Sequence, residues 1–112
     1  MSIKATFQPI LSITIKATSD LAVNRFVETT GRQCRSEMKS IGVSQNDCLN
    51  GEWASVIVVG TALVLANEAI TSGSDVSSDS MGRAINTGTS ATINAIALSD
   101  AEVGELVKVL IP

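Results

Sequence analysis

The sequence predicts an all-β fold, a small β-sandwich or barrel of roughly eight to ten short strands with at most one short helical turn. Short runs alternate apolar and polar residues, and turn residues separate these runs about every 8–12 residues. The hydrophobic fraction is 45% but only 3% of the residues are aromatic, so the core must consist of Val, Ile, Leu and Ala. A chain of 112 residues suits a single domain, residues 1–112, with one modest core.

The first strand signals lie near the N-terminus. Residues 1–9 alternate apolar and polar side chains, as an extended arm or an edge strand does. The apolar side chains of this arm are Ile3, Ala5 and Phe7. Pro9 ends the arm or marks an edge position, because proline cannot donate a ladder hydrogen bond. Residues 10–18 predict a half-buried strand, whose more apolar face is formed by Leu11, Ile13, Ile15 and Ala17.

Weaker strand signals follow before the centre of the chain. Residues 21–28 predict a strand with one slip in register, where a bulge would fit. Gly31 turns the chain, and residues 33–38 are polar and ambiguous. Residues 41–43 predict a short strand that leads into a polar loop.

The stretch 51–60 predicts the central strand. It runs from a Gly-Glu turn through β-branched and apolar residues to a second glycine, and it is short for a helix. Residues 61–66 continue this apolar character, so Gly60 is either a bend between two strands or a bulge in one. Residues 75–85 predict a small hairpin, in which Gly82 can supply the positive φ that such turns need.

The last two strands are predicted at residues 91–98 and 104–111. Between them, Ser99 and Glu102 have the spacing of a capping box, which would allow one helical turn. Gly104 follows too closely for that turn to grow into a helix.

The chain contains two similar β-units, residues 21–60 and 75–112. With an offset of 53 positions, Gly51-Glu52 falls on Gly104-Glu105 and Asp47 falls on Asp100. Two copies are fewer than a solenoid needs, so we expect a pseudo-symmetric pair of units within one core. Coincidence between glycine-punctuated β-sequences is the alternative.

The charge pattern excludes several classes of partner. The formal net charge is −3, and the eight basic residues are mostly scattered, whereas a phosphate-binding face needs dense positive charge. The longest nearly unbroken apolar run, residues 54–66, is shorter than the about 20 residues that cross a membrane. No signal peptide is recognisable, which predicts synthesis in a cytoplasm. We therefore expect neither nucleic acid nor membrane as a partner.

The residues predict no catalytic or metal-binding constellation. The sequence has no His, the commonest general base and metal ligand. Cys34 and Cys48 lack partner ligands, so they are either reduced thiols or, in an oxidising environment, a disulfide. Glu52 and Glu105 follow turn glycines at equivalent positions, which favours structural roles. We therefore expect a protein that is not an enzyme and that holds no metal or cofactor.

The segment from Ala66 to Pro112 contains a distinctive order of short sequence pieces. These are Ala69-Ile70, Ser72-Gly73, Val76, Asp79-Ser80, Gly82-Arg83-Ala84, Ala95-Ile96-Ala97-Leu98, and Gly104-Glu105 before Leu106-Val107-Lys108-Val109-Leu110. Their order resembles the capsid decoration proteins of tailed bacteriophages, also called cement or head-stabilising proteins. Residues 25–60 match more loosely through the internal repeat. Ala95 stands where this family usually has Gly, and residues 1–20 have no counterpart in the family pattern.

The resemblance implies a structural virion protein that binds the outer surface of a phage capsid and stabilises the shell against internal DNA pressure. Its partners would be the major capsid protein and further copies of itself, in a homodimer or a homotrimer. The small number of basic residues agrees with a position outside the shell, away from packaged DNA. The alternatives are another phage structural subunit, such as a head-fibre base or a tail-tube protein, and a carbohydrate-binding β-module, which usually exposes more aromatic residues.

Four residues are candidates for the capsid or subunit interface: Ile3, Ala5, Phe7 and Trp53. The arm residues could add a strand to the shell protein or to a neighbouring subunit, and the alternative is an edge strand of the protein's own sheet. Trp53 is either an interface anchor, because Trp is enriched at binding hot spots, or a core residue of an apolar strand.

Overall fold

The part of the chain that the structure describes folds into eight β-strands. The computed structural model describes residues 8–36, 38–87 and 92–111, and these residues contain no helix. The strands are β1 Pro9–Lys16, β2 Phe26–Glu28, β3 Ser40–Ser44, β4 Trp53–Leu65, β5 Asp75–Ser78, β6 Ala84–Asn86, β7 Ala95–Ala97 and β8 Leu106–Ile111. They form one sheet that curls into a nearly closed barrel, so the predicted all-β fold is confirmed.

β4 is the strand around which the sheet is organised. It is 13 residues long, and β1 and β3 lie on opposite edges of its first part, since Ile57 pairs with both Ser12 and Val43. Its second part, residues 60–65, pairs with β8. One strand therefore connects the N-terminal and C-terminal parts of the sheet.

The remaining strands continue from β8 and return to β4. The strand order is β2-β3-β4-β8-β7-β5-β6, with β1 paired to β4 beside this path. A parallel bridge between Ala66 and Ala84 brings β6 back to the end of β4, and the Asn67 N–H donates to the Ala84 carbonyl at 2.9 Å. The Phe26 N–H donates to the Gly82 carbonyl at 2.8 Å and joins β2 to the β5–β6 turn. These contacts close the barrel.

Two clusters of buried aliphatic side chains form the core. The larger cluster fills the barrel and consists of Phe26, Cys34, Val43, Ile57, Ala62, Val64, Ala66, Ile70, Val76, Ala84, Ala95, Ala97, Ala101, Val107, Val109 and Ile111. The smaller cluster lies beneath β1 and consists of Ala17, Leu21, Val27, Cys48, Ala54 and Val56. Burial of this apolar surface is the main stabilising contribution to the fold.

The main-chain hydrogen bonds of the N-terminal part recur in the C-terminal part. Leu21 and Cys48 exchange both main-chain bonds, and Ile70 and Ala101 do the same. Three further bonds of the first half have counterparts in the second half. The bond from Ala17 to Glu52 matches that from Ala66 to Glu105, and the bond from Gly51 to Ala17 matches that from Gly104 to Ala66. The bond from Gln45 to Ser55 matches that from Leu98 to Lys108. Positions up to β2 recur 49 residues later, and positions from Cys34 onward recur 53 residues later, since the Cys34 N–H donates to the Phe26 carbonyl as the Thr87 N–H does to the Asp75 carbonyl.

This correspondence includes β1. Ile15 of β1 lies opposite Ala54, and the matching positions Val64 and Val107 lie opposite each other in β4 and β8. β1 is therefore equivalent to the second part of β4, and the first part of β4 is equivalent to β8. Residues 9–58 are called the first half below, and residues 60–111 the second half. The predicted unit boundaries, 21–60 and 75–112, stay a prediction, and we infer that β1 belongs to the first unit.

The turns at residues 47–52 and 100–105 have the same side-chain hydrogen bonds. In each turn, a Glu carboxylate accepts a bond from the N–H three residues earlier, and an Asp carboxylate accepts one from a distant main-chain N–H. The first pair of bonds is Leu49 to Glu52 and Glu102 to Glu105, both at 2.8 Å. The second pair is Val23 to Asp47 at 2.9 Å and Ser72 to Asp100 at 2.8 Å. These carboxylates hold turns in place.

Several strand predictions need correction in length or orientation. β2 spans three residues rather than 21–28, because Leu21 forms only an isolated bridge with Cys48. Gly60 has a φ of 111° and lies within one continuous strand, so the alternative of a bend between two strands is wrong. Register shifts on either side of Leu11 leave it 50% exposed, whereas the sequence predicts that it shares a buried face with Ala17.

The helical turn that the sequence allows at residues 99–102 does not form. The Ser99 hydroxyl accepts a hydrogen bond from the Lys108 N–H at 3.0 Å instead of capping a helix. The hairpin predicted at residues 75–85 is present as β5 and β6.

Cys34 and Cys48 are both free and buried. Cys34 belongs to the larger core cluster and Cys48 to the smaller one, so they are reduced thiols in this structure rather than a disulfide. Burial raises the pKa of both thiols, which keeps them protonated at neutral pH.

Candidate interaction surfaces

Three of the four predicted interface residues lie outside the described residues: Ile3, Ala5 and Phe7. Their role stays a prediction. The described chain begins at Gln8, whose carbonyl accepts a hydrogen bond from the Thr61 N–H at 3.2 Å. Ile10 and Leu11 follow and are 78% and 50% exposed. Exposed apolar surface therefore comes directly after the arm in the sequence.

One edge of β1 has no partner strand in the described part of the chain. Among the described residues, β1 pairs with β4 alone. Beyond its C-terminal end the edge is covered, because the Thr18 N–H donates to the Gly31 carbonyl at 3.0 Å. Gly31 lies so close to the Lys16 carbonyl that a Cβ there would collide with it. The open part of this edge, residues 11–14, can accept a further strand.

Trp53 begins β4 and lies on the surface. It is opposite Lys16 of β1, and its side chain is 67% exposed. Its neighbour Ala54 and then Val56 point inward and are fully buried, so strand alternation directs the indole outward. Trp53 is therefore not a core residue, and its role at an interface stays a prediction.

The outer face of β7 and β8 is an apolar surface that the sequence analysis missed. Ile96 pairs with Leu110, and they are 43% and 42% exposed. With Ile93, Asn94 and Ala95 they line a shallow cavity of about 140 Å³. The available signal was the pattern of β8, in which Leu106 and Leu110 lie on the face opposite Val107 and Val109, so that both faces carry apolar residues.

Two ion pairs fix turns rather than form a reactive site. Glu28 is buried and accepts hydrogen bonds from the Arg35 N–H at 3.0 Å, from Nε at 2.9 Å and from Nη2 at 3.1 Å. These bonds hold the pKa of Glu28 below its usual value despite the opposing effect of burial. In the second half, Asp79 pairs with Arg83 at 2.8 Å across the β5–β6 turn. Each carboxylate thus stabilises one loop.

The described residues contain no group of three or more His, Cys, Asp or Glu side chains arranged to hold a metal ion. In the same part of the chain, no helix has the length and hydrophobicity to cross a membrane.

The barrel and its exposed apolar surfaces can be compared with known proteins. The family model described as phage cement protein matches residues 5–111, almost the whole chain, so the expectation that residues 1–20 have no counterpart in the family is wrong for residues 5–20. The chain belongs to the phage cement protein family. The resemblance to capsid decoration proteins is thereby confirmed, and the protein is a structural protein of the phage head.

A solved structure has the same fold. The head fibre gp8.5 N base of bacteriophage phi29 is similar, with a TM-score of 0.75 and 22% sequence identity over 91% of this chain and 93% of that one. At this identity the similarity concerns the fold alone. The search of curated proteins found no match. The cement protein and the head-fibre base therefore share one barrel architecture.

Proposed function

We propose that this cement protein binds the outer surface of an assembled phage capsid and stabilises the shell against the pressure of packaged DNA. Its partners are the major capsid protein and further copies of itself, in a dimer or a trimer. Membership of the cement family over residues 5–111 is the observation that supports this most strongly. The net charge of −3 agrees with a position outside the shell, away from DNA.

The proposed contact with the shell uses the N-terminal arm and Trp53. An arm with apolar residues at alternate positions can add a strand to the shell protein, with main-chain hydrogen bonds giving affinity and side-chain pockets giving choice of partner. Trp53 supports an anchor role because its indole is exposed at the start of a rigid strand. Many copies on a symmetric lattice add avidity, so each contact can be weak.

Co-sedimentation with phage heads that lack this protein tests the proposal. We expect binding to saturation, with an increased resistance of the heads to heat or to chelator. A variant beginning at Ile10 should bind at least about tenfold more weakly, because it lacks the arm. Trp53→Ala should weaken binding similarly, whereas Leu106→Ala, at the equivalent position of the second half, should bind as the wild type does. Saturable binding that leaves head stability unchanged would contradict the cement role.

A head-fibre base is the second candidate function. The shared fold with the phi29 head-fibre base favours it, because the similarity extends over 91% of this chain. A protein with this role would bind heads without making them more resistant to heat. The same sedimentation and heating experiment therefore separates the two candidates. No observation favours a tail-tube protein or a carbohydrate-binding module.

A further inference from the structure

The two core clusters correspond to each other position by position. Six buried residues beneath β1 have buried counterparts in the second half at the offsets of the hydrogen-bond repeat. The pairs are Ala17 and Ala66, Leu21 and Ile70, Val27 and Val76, Cys48 and Ala101, Ala54 and Val107, and Val56 and Val109. The two halves therefore build the same core from the same positions.

Four further positions differ between the halves in burial. In the first half, the side chains that pack against the small cluster are only partly buried: Ile13, Ile15, Ile41 and Val58. Their counterparts in the second half are almost completely buried: Ala62 and Val64 at 0%, Asn94 at 2% and Ile111 at 5%. These first-half residues are called the open face. Among the described residues, the second-half core therefore has a cover that the first-half core lacks.

The first half supplies that cover. Four of its residues lie in the larger cluster, on the other side of its sheet from the small cluster: Phe26, Cys34, Val43 and Ile57. Hydrogen bonds also stabilise this contact between the two halves. The Asn94 amide oxygen accepts a bond from the Ser40 N–H at 3.0 Å, and its amide nitrogen donates to the Met38 carbonyl at 3.1 Å. One half thus covers the core of the other within the chain.

The second half has residues at the positions equivalent to those of the first half that form this cover. At the same offsets, Phe26, Cys34, Val43 and Ile57 correspond to Asp75, Thr87, Ile96 and Leu110. Ile96 and Leu110 are 43% and 42% exposed, and Thr87 is half-buried. Ile96 and Leu110, together with Ile93, line the cavity on the outside of β7 and β8. These residues are called the covering face.

We propose that the covering face of one copy binds the open face of a second copy, repeating between chains the contact that joins the two halves within a chain. The two faces are different surfaces, so the association is head to tail, and it ends in a closed ring when the rotation between copies closes. The ligand of both surfaces is therefore a second copy of this chain. This association rests on the self-association named in the proposed function and assigns it to two faces. It needs no capsid, so its test is separate from the test of shell binding.

Burial supports this pairing from both sides. The β-branched residues of the open face are partly exposed, whereas the equivalent residues of the second half are buried. In the covering face, Ile96 and Leu110 are exposed, whereas the equivalent residues of the first half are buried. Bringing the faces together removes both exposures at once, which is the main favourable contribution to association. A two-fold dimer that used only one of these faces would leave the other exposed.

Sedimentation velocity of the purified protein with two face variants tests the proposal. The first variant combines Ile96→Glu and Leu110→Glu, and the second combines Ile13→Glu and Ile41→Glu. We expect the wild type to form a closed oligomer and each variant to associate at least about tenfold more weakly, because buried carboxylates oppose association. The control is Leu49→Glu, since Leu49 is 62% exposed outside both faces and its counterpart is Glu102. The control should assemble as the wild type does.

Mixing the two variants separates head-to-tail assembly from a two-fold dimer built on one face. Each variant keeps one intact face, and the intact faces are complementary, so an equimolar mixture should form dimers of one copy of each and nothing larger. A wild type that stays monomeric, a variant that assembles as the wild type does, or a mixture that remains monomeric would each overturn the proposal. A thermal unfolding curve of each variant verifies that it is folded before mixing.

Discussion

The two halves of the barrel share a set of main-chain hydrogen bonds but have different surroundings. In the first half, Val56 is buried in the small cluster while its neighbour Ile57 is buried in the large one, so both faces of β4 carry buried side chains at this point. In the second half, Val109 is buried, but Leu110, the counterpart of Ile57, is 42% exposed. A repeated backbone therefore does not give a repeated environment, because the burial of a face depends on what lies against it.

The largest difference between equivalent positions is expected at Gly42. A Cβ on Gly42 would collide with the Ile57 carbonyl and approach a methyl group of Val56 to 2.9 Å, whereas the equivalent residue in the second half is Ala95. Gly42→Ala should reduce the free energy of unfolding by about 3 kcal/mol, at the upper end of the usual range for overpacking. Ala95→Gly, the reverse exchange, should cost only about 1 kcal/mol. Urea denaturation of both variants measures this, and equal effects would contradict the assigned equivalence.

The buried carboxylate of the first half should have the next largest effect. Glu28→Gln leaves Arg35 without its ion pair and weakens three hydrogen bonds, so it should reduce the free energy of unfolding by about 2 kcal/mol at neutral pH. Because folding lowers the pKa of Glu28, its contribution is complete above its unfolded value of about 4.5 and is lost as the pH falls through the folded value. The wild type and the variant should therefore converge in acid. A difference that stays constant with pH would assign the loss to packing.

The smallest effects are expected where the halves match most closely. Asp47 and Asp100 each accept one main-chain hydrogen bond at the surface, at 2.9 and 2.8 Å. Asp47→Ala and Asp100→Ala should each reduce the free energy of unfolding by about 1 kcal/mol, and by nearly the same amount. Because the two carboxylates accept their bonds from different residues, Val23 and Ser72, the double variant should show the sum of the two effects. Strongly unequal values would show that the turns are alike in geometry but not in energy.

The sequence predicts the fold class and part of this symmetry. Alternation along residues 10–18 and the glycine-flanked stretch 51–60 are enough to predict an all-β sandwich or barrel, because both patterns are local. The offset of 53 is visible because Gly51-Glu52 and Gly104-Glu105 have to be alike to form the same turn. The equivalence of β1 and the second part of β4 cannot be detected in the sequence. A buried strand position requires only an apolar side chain, so equivalent positions can hold residues of different size, such as Ile13 and Ala62.

The candidate surfaces are harder to predict than the fold. The apolar character of Trp53 and Leu110 is evident in the sequence, but their exposure depends on strand pairing and on the contact between the halves. Leu11 is exposed because bulges shift the register of β1, and no single residue marks these bulges. Exposure is thus a tertiary property, whereas alternation is a local one.

The continuity of β4 has a consequence for how the protein unfolds. The strand contributes side chains to both core clusters, with Ala54 and Val56 in one and Ala62 and Val64 in the other. Unfolding of either half would disrupt β4, with which strands of the other half pair, so we expect neither half to have an independent melting point. Calorimetry should therefore record one cooperative transition, with equal calorimetric and van't Hoff enthalpies. Because both halves share β4, the duplicated barrel should unfold as a single cooperative unit.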